Sequence, residues 1–317
     1  MKRERQRWSL ALAVLVGGAV SACHGAPPGA GEAGAPPGAS AGVGASAVAA
    51  APAAVAAVEV PPRVPAPLPA APAPAGPLGC RVVSATGSAA LDSGTAVRVG
   101  DRFVGSDWLE LGKGSSLHLK HGASGREWTV RGPARVLPCL DGQEELIVAE
   151  GQLRTEAGAG ARPGAQVLIG TPFGSLRYAD ANADLDVSSD ALKLRVSSGD
   201  TWLSAVAGKP GTETHTLSSQ SAQRGKRDRL AAAAAVAACQ KAAQQSEALA
   251  KSLVAPVTSG FGKLAAEHVR ARELAHASCA SATAAVLQQQ SGADRTARLT
   301  ELAGYRELWQ RVPPAGG

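Results

Sequence analysis

Residues 116–121, SLHLKH, and residues 191–196, ALKLRV, alternate apolar and polar side chains. Leu117 and Leu119 fall on one side of the first stretch. Leu192, Leu194 and Val196 fall on one side of the second, with Lys193 and Arg195 opposite. A period of two marks a strand with one face buried, and such a face requires a partner sheet. Working outward, the chain from Cys80 to about Ser221 continues as short alternating runs broken by Gly, Asp and Ser, the pattern of an all-β domain. About 140 residues suffice for one sandwich or barrel-like core. Trp108, Trp128 and Trp202 are expected as its large core or near-core side chains.

The period changes after Asp228, a residue able to cap a helix. An Ala-rich body runs from there to about Val254, Pro256 to Gly262 makes a turn, and a second helix is expected from about Lys263 to Gln290. Leu299, Leu302, Tyr305, Leu308 and Val312 recur at helical spacing in a third segment. Antiparallel pairing centred near Ser259 sets Cys239 opposite Cys279 and Leu249 opposite Val269. The fold class read from these patterns is a mainly β domain over residues 79–222, followed by an Ala-rich helical hairpin or three-helix segment over residues 223–317.

The N-terminal quarter is different. Lys2, Arg3, Arg5 and Arg7 precede a mostly apolar run, Trp8 to Val20, which has the length of a signal-peptide core and is shorter than a membrane span. The run ends in Val20-Ser21-Ala22-Cys23, which resembles the bacterial lipobox. That resemblance implies a signal peptide over residues 1–22, cleavage before Cys23 and lipidation of Cys23, with acylation of its new amino group. Several acyl chains give stable anchoring where one is marginal. His24 at the following position implies sorting to the outer membrane. Residues 23–78 then form a tether of mostly Ala, Pro, Gly, Val and Ser, including Pro65, Pro67, Pro69, Pro72, Pro74 and Pro77. Such a composition offers too little burial to offset ordering its backbone. As polyproline it reaches on the order of 170 Å, and as a flexible coil roughly 40 Å.

Charge follows the same division. Of the formal +6, residues 1–22 supply +3, so the basic balance belongs largely to the leader and leaves no nucleic-acid footprint in the remainder. With Cys23 lipidated, four of the five cysteines remain. Pairing Cys80 with Cys139 and Cys239 with Cys279 is the one connectivity of three that keeps each bond within a domain, in an envelope compartment where disulfides persist. The alternative is four buried thiols.

A family resemblance lies in the order of the strand patterns. Val97-Arg98-Val99-Gly100-Asp101, then Leu109 to Leu119, then Val130-Arg131-Gly132-Pro133-Ala134 resemble the front half of the FecR domain. Val148-Ala149-Glu150-Gly151-Gln152-Leu153, Ile169-Gly170-Thr171-Pro172-Phe173-Gly174-Ser175-Leu176 and Leu194-Arg195-Val196-Ser197-Ser198-Gly199-Asp200 are similar to its rear half. The resemblance covers roughly residues 80 to 221 and implies a β-rich periplasmic module with a binding or scaffolding role. FecR-type regulators also carry a cytoplasmic anti-sigma segment. Here only 7 residues precede the apolar run, and Tyr178-Ala179-Asp180 replaces the family's Gly-Thr.

Reactive constellations are sparse in the sequence. Asp180-Ala181-Asn182-Ala183-Asp184-Leu185-Asp186 mimics the start of an EF-hand loop, but Leu185 stands where the turn needs Gly and Ala191 where the bidentate Glu belongs. Carboxylates flanking Leu185 and Val187 on a strand are the expectation. His118 and His121 point to opposite faces of a strand, while His268 and His276 are expected as solvated helix residues. Arg224-Gly225-Lys226-Arg227 reads as a solvated hinge between domains. No nucleophile and base pair, cofactor motif or metal set is read. The expectation is a non-catalytic envelope binding or scaffold lipoprotein. It meets the membrane through its lipid anchor and faces the periplasm, and it has an envelope protein or cell-wall glycan as partner. The alternative is a signalling component acting with a separate anti-sigma factor or a TonB-dependent transporter.

Overall fold

Two long strands, β6 (Glu127–Leu137) and β7 (Glu145–Glu156), organise the molecule because each passes from one β layer into the other. A computed structural model describes residues 79–105, 107–140, 144–156, 166–204, 213–254 and 261–310. Cys23, the leader and the tether lie outside the described residues. The pairing of β6 with β7 shifts register between Arg131 and Arg135, at the cis Gly132–Pro133 bond. Gly151 on β7 adopts φ +117° beside this point, where a Cβ would overlap Ala134.

The outer layer comprises β3 (Arg102–Phe103), β1 (Cys80–Thr86), β5 (Ser116–His121), the first half of β6, the second half of β7, β10 (Asn182–Val187), β11 (Ala191–Ser198) and β14 (Ser221–Gly225). The middle layer comprises β2 (Ala89–Leu91), β4 (Leu109–Leu111), the remaining halves of β6 and β7, β8 (Val167–Thr171), β9 (Gly174–Tyr178), β12 (Thr201–Leu203) and β13 (Thr214–Thr216). Pairing is antiparallel except between β7 and β8. The strand order ends at β13 and at β3, so the sheet stays open and is not a barrel. Leu117, Leu119, Trp128, Val130, Leu153, Leu185 and Leu194 of the outer layer share one core with Leu111, Val136, Leu146, Val148, Ile169 and Leu176 of the middle layer.

The middle layer is covered on its second face as well. Glu145, Leu146, Ile147, Val148 and Ala149 are all buried, because alternate residues face the β core and a helical layer. That layer consists of α1 (Ala232–Val254), α2 (Phe261–Gln289) and α3 (Gly292–Gln310). Along α2, Ala277, Ala280, Ala284 and Leu287 join Ile147, Ala149 and Leu168 of the sheet. Cys279, Ala282 and Val286 join Ala235, Val236 and Cys239 of α1. Each set recurs at three- and four-residue spacing, so α2 carries two apolar stripes and is buried between sheet and helix. Its small side chains permit close approach. A Cβ on Gly170 would lie 2.5 Å from the Ala280 backbone. Among the described residues no helix is long and apolar enough to cross a membrane.

Several sequence expectations change in this setting. Asp228 accepts from Gly225 N at 2.9 Å across a 3-10 turn, and α1 begins instead where Gln289 Oε1 accepts from Ala232 N. The boundary expected near residue 222 falls inside β14, where Arg224 donates to Leu203 O at 3.2 Å, so residues 224–225 are strand rather than hinge. Val269 is 55% exposed, so its expected packing opposite Leu249 does not bury it. The tryptophans are core and near-core as expected: Trp128 is buried, and Trp108 and Trp202 are half-buried, Trp202 stacking on His215.

Candidate functional site

Strand register places the exposed side chains of the outer layer in ordered rows. One row reads His118, Thr129, Arg154, Asp184, Arg195 and Ser221 across β5, β6, β7, β10, β11 and β14. The next reads Ser116, Arg131, Gln152, Asp186, Lys193 and Gln223 across the same strands. Because side chains alternate along each strand, these residues share one face while Leu153, Leu185 and Leu194 between them enter the core. The face is concave and encloses about 510 Å³. Arg154 reaches Glu156 at 3.3 Å and Asp184 at 3.6 Å. Arg131, Lys193 and Arg195 make no ion pair among the described residues, which leaves the rows with a cationic surplus. The hydrogen-bonded ladder fixes the backbone positions and spacing of these charged and amide side chains.

Within the EF-hand-like stretch, Asp184 and Asp186 stand in β10 on this face and flank the buried Leu185, with Val187 buried beyond. Among the described residues no group of three or more His, Cys, Asp or Glu side chains is placed to hold a metal ion. The cysteines lie elsewhere. Cys80 is bonded to Cys139 at the start of β1, and Cys239 is bonded to Cys279 between α1 and α2. Two disulfides fit a compartment outside the cytoplasm.

Two buried charge clusters were not legible in the sequence. Glu144 and Glu145 are consecutive and serve opposite faces of the sheet. Glu144 lies 3.2 Å from His121 Nδ1 and 3.4 Å from Arg126 Nε, beside Ser124. Burial raises the Glu144 carboxyl, but the hydrogen bonds of His121 and Ser124 and the nearby cations bring it below its ordinary value. His121, Ser124 and Glu144 are the side-chain types of an acyl-transfer triad, yet His121 Nδ1 faces both the serine and the carboxylate. A triad needs the two ring nitrogens divided between them. Arg126, 1% exposed, also meets Asp180 at 3.3 Å, and Trp128 Nε1 donates to Tyr178 Oη at 2.8 Å.

Glu145 enters the helical interface. Arg306 holds it with two hydrogen bonds of 2.8 Å, and His276 Nε2 lies 2.6 Å from its Oε2. Burial raises this carboxyl, but Arg306 first and His276 second outweigh it and hold the group at about 2. His276 is therefore tied to the sheet, and His268 is buried; neither is the solvated side chain that helical spacing led one to expect.

No family model matches the chain, and no curated protein matches it. Among solved structures, a "putative anti-sigma factor" from Parabacteroides distasonis matches in crystal structures at 1.65 and 2.50 Å resolution. The TM-score is 0.32 in both, with 9% and 8% sequence identity. The match covers 39% of this chain and 57% or 56% of that one, so it spans a little over half that protein's length.

Proposed function

We propose that the chain is a non-catalytic binding and scaffold lipoprotein of the bacterial envelope. It is anchored through acylated Cys23, projects into the periplasm on its Ala/Pro-rich tether, and presents the concave face of a FecR-like β module to a protein partner. The observation that carries this reading is the pair of rows from His118 to Ser221 and from Ser116 to Gln223, with cations, anions and amides at strand spacing. A polypeptide segment bearing both charge signs is complementary to such a pattern. A cell-wall glycan is the weaker partner, because sugar rings stack best on Trp, Tyr and Phe and neither row contains one. The outer membrane remains the expected site of anchoring from His24.

A photo-crosslinker placed at Gln152 in intact cells tests this. The expected result is a discrete adduct with an envelope protein whose yield falls at least about tenfold, equivalent to about 1.4 kcal/mol, in the Lys193→Glu, Arg195→Glu variant. An adduct pattern unchanged by that reversal would remove the concave face from the binding role.

A further inference from the structure

A third row on the outer layer has a different composition. Arg102, Arg81, Lys120, Glu127 and Glu156 stand directly opposite one another across β3, β1, β5, β6 and β7. Like charges in register repel, and such pairs are disfavoured in sheets. Lys120 relieves its part by donating to Glu127 Oε1 at 2.9 Å, a bond that lowers the Glu127 carboxyl below its ordinary value. Arg81 and Arg102 have no such relief, since no acid among the described residues pairs with either. Asp101 is engaged elsewhere, accepting from Arg98 N at 2.7 Å.

The surroundings specify what would relieve them. Arg81, Arg102 and Lys120 line a depression of about 400 Å³ together with Val83. Val83 lies where β1 and β5 shift register, and it is 43% exposed. Val104, beside Gly79, is 47% exposed. Val99 is 60% exposed in the loop whose Gly100 N donates to Val82 O at 2.9 Å. A guanidinium binds oxyanions through a planar fork, and two forks side by side, with the Lys120 ammonium already given to Glu127, suit an anion whose oxygens point in several directions. A tetrahedral phosphate fits this, and the exposed Val83 in the lining suits one attached to an apolar group. The depression also adjoins Gly79, where the described chain begins after the tether.

We propose that Arg81 and Arg102, beside Lys120, form a phosphate-binding site at the tether end of the β module, taking either a phospholipid headgroup or a soluble phosphate. The site is separate from the two rows assigned to the partner and stands whichever partner they meet.

The test uses the full chain with Cys23→Ser, which removes the acyl chains, compared with the same chain carrying Arg81→Ala and Arg102→Ala. Inorganic phosphate is titrated by calorimetry. Sedimentation is measured with vesicles of phosphatidylcholine alone and with phosphatidylglycerol added. Any vesicle binding by the leader is common to both proteins, so the difference between them reads the site. Saturable phosphate binding that weakens at least about tenfold in the double variant supports the site with a soluble source. Phosphatidylglycerol-dependent sedimentation lost in that variant supports it with a headgroup source. An Arg81→Lys, Arg102→Lys variant, which keeps charge and loses the forks, should fall between the two. If the variants melt like the parent and neither probe distinguishes them, the proposal is overturned.

Discussion

Arg306 meets Glu145, 161 positions earlier in the chain, through both terminal guanidinium nitrogens, each 2.8 Å from a different carboxylate oxygen. The pair is buried, and it joins α3 to the first residue of β7 at the interface that α2 also enters through His276. It fixes the helical layer to the sheet by charge as well as by packing, as the more exposed Arg177–Glu273 pair does between β9 and α2.

Arg306→Met is expected to destabilise the protein by about 3–5 kcal/mol, because it leaves a carboxylate buried without its principal cation. Denaturant titration with tryptophan fluorescence measures this. A loss below about 1 kcal/mol would show that solvent or another cation reaches Glu145 in the variant.

The same group sets an acid response. Glu145 is held at about 2 in the folded chain against an ordinary 4.5, so unfolding raises its proton affinity. Its stabilising contribution is therefore complete above about pH 5 and is lost as the pH falls toward about 2. Glu145→Gln should be less stable at neutral pH and should show a shallower fall in melting temperature across that window. Parallel slopes in parent and variant would assign acid sensitivity to other carboxylates.

Cys239 and Cys279 close a loop between two helices whose contact is built from alanines, which bury little area each. The double variant Cys239→Ser, Cys279→Ser should lose about 4 kcal/mol by loop-closure entropy. Calorimetry under non-reducing conditions reads the loss. Peptide mapping of the parent should recover the Cys80–Cys139 and Cys239–Cys279 links.

Gly170 lies under Ala280, so a side chain there meets helix backbone that has no room to rotate away. Gly170→Val should cost about 1–3 kcal/mol and loosen α2 from the sheet. Hydrogen exchange should show the loosening as reduced protection in Ala277 to Leu287. Unchanged protection would mean that the helix sits farther from β8.

Cys23→Ala should block lipoprotein processing and leave unprocessed or released chain in place of a detergent-soluble acylated form. Mass spectrometry that finds an unmodified Cys23 in the mature protein would remove the anchor.

The sequence by itself determined the elements. Period-two runs such as 116–121 and 191–196 bury one side of a strand, and α1 and α2 follow from the Ala-rich spacing on either side of Pro256. These are local properties, because side-chain periodicity, and in helices backbone hydrogen bonding too, is written within a few residues. Tertiary structure decided which faces were covered twice. Glu144 and Glu145 are chemically identical neighbours. Strand alternation turns them to opposite faces, and tertiary packing decides that one face holds Arg126 and His121 and the other Arg306 and His276. The cation row depends on tertiary structure in the same way. Nothing local relates Arg81 to Arg102 or Lys120, and their convergence comes from the register of β3, β1 and β5. Register is set by which distant strands pair and which side chains enter the shared core. The charges that meet on the opposite face are a consequence of that choice.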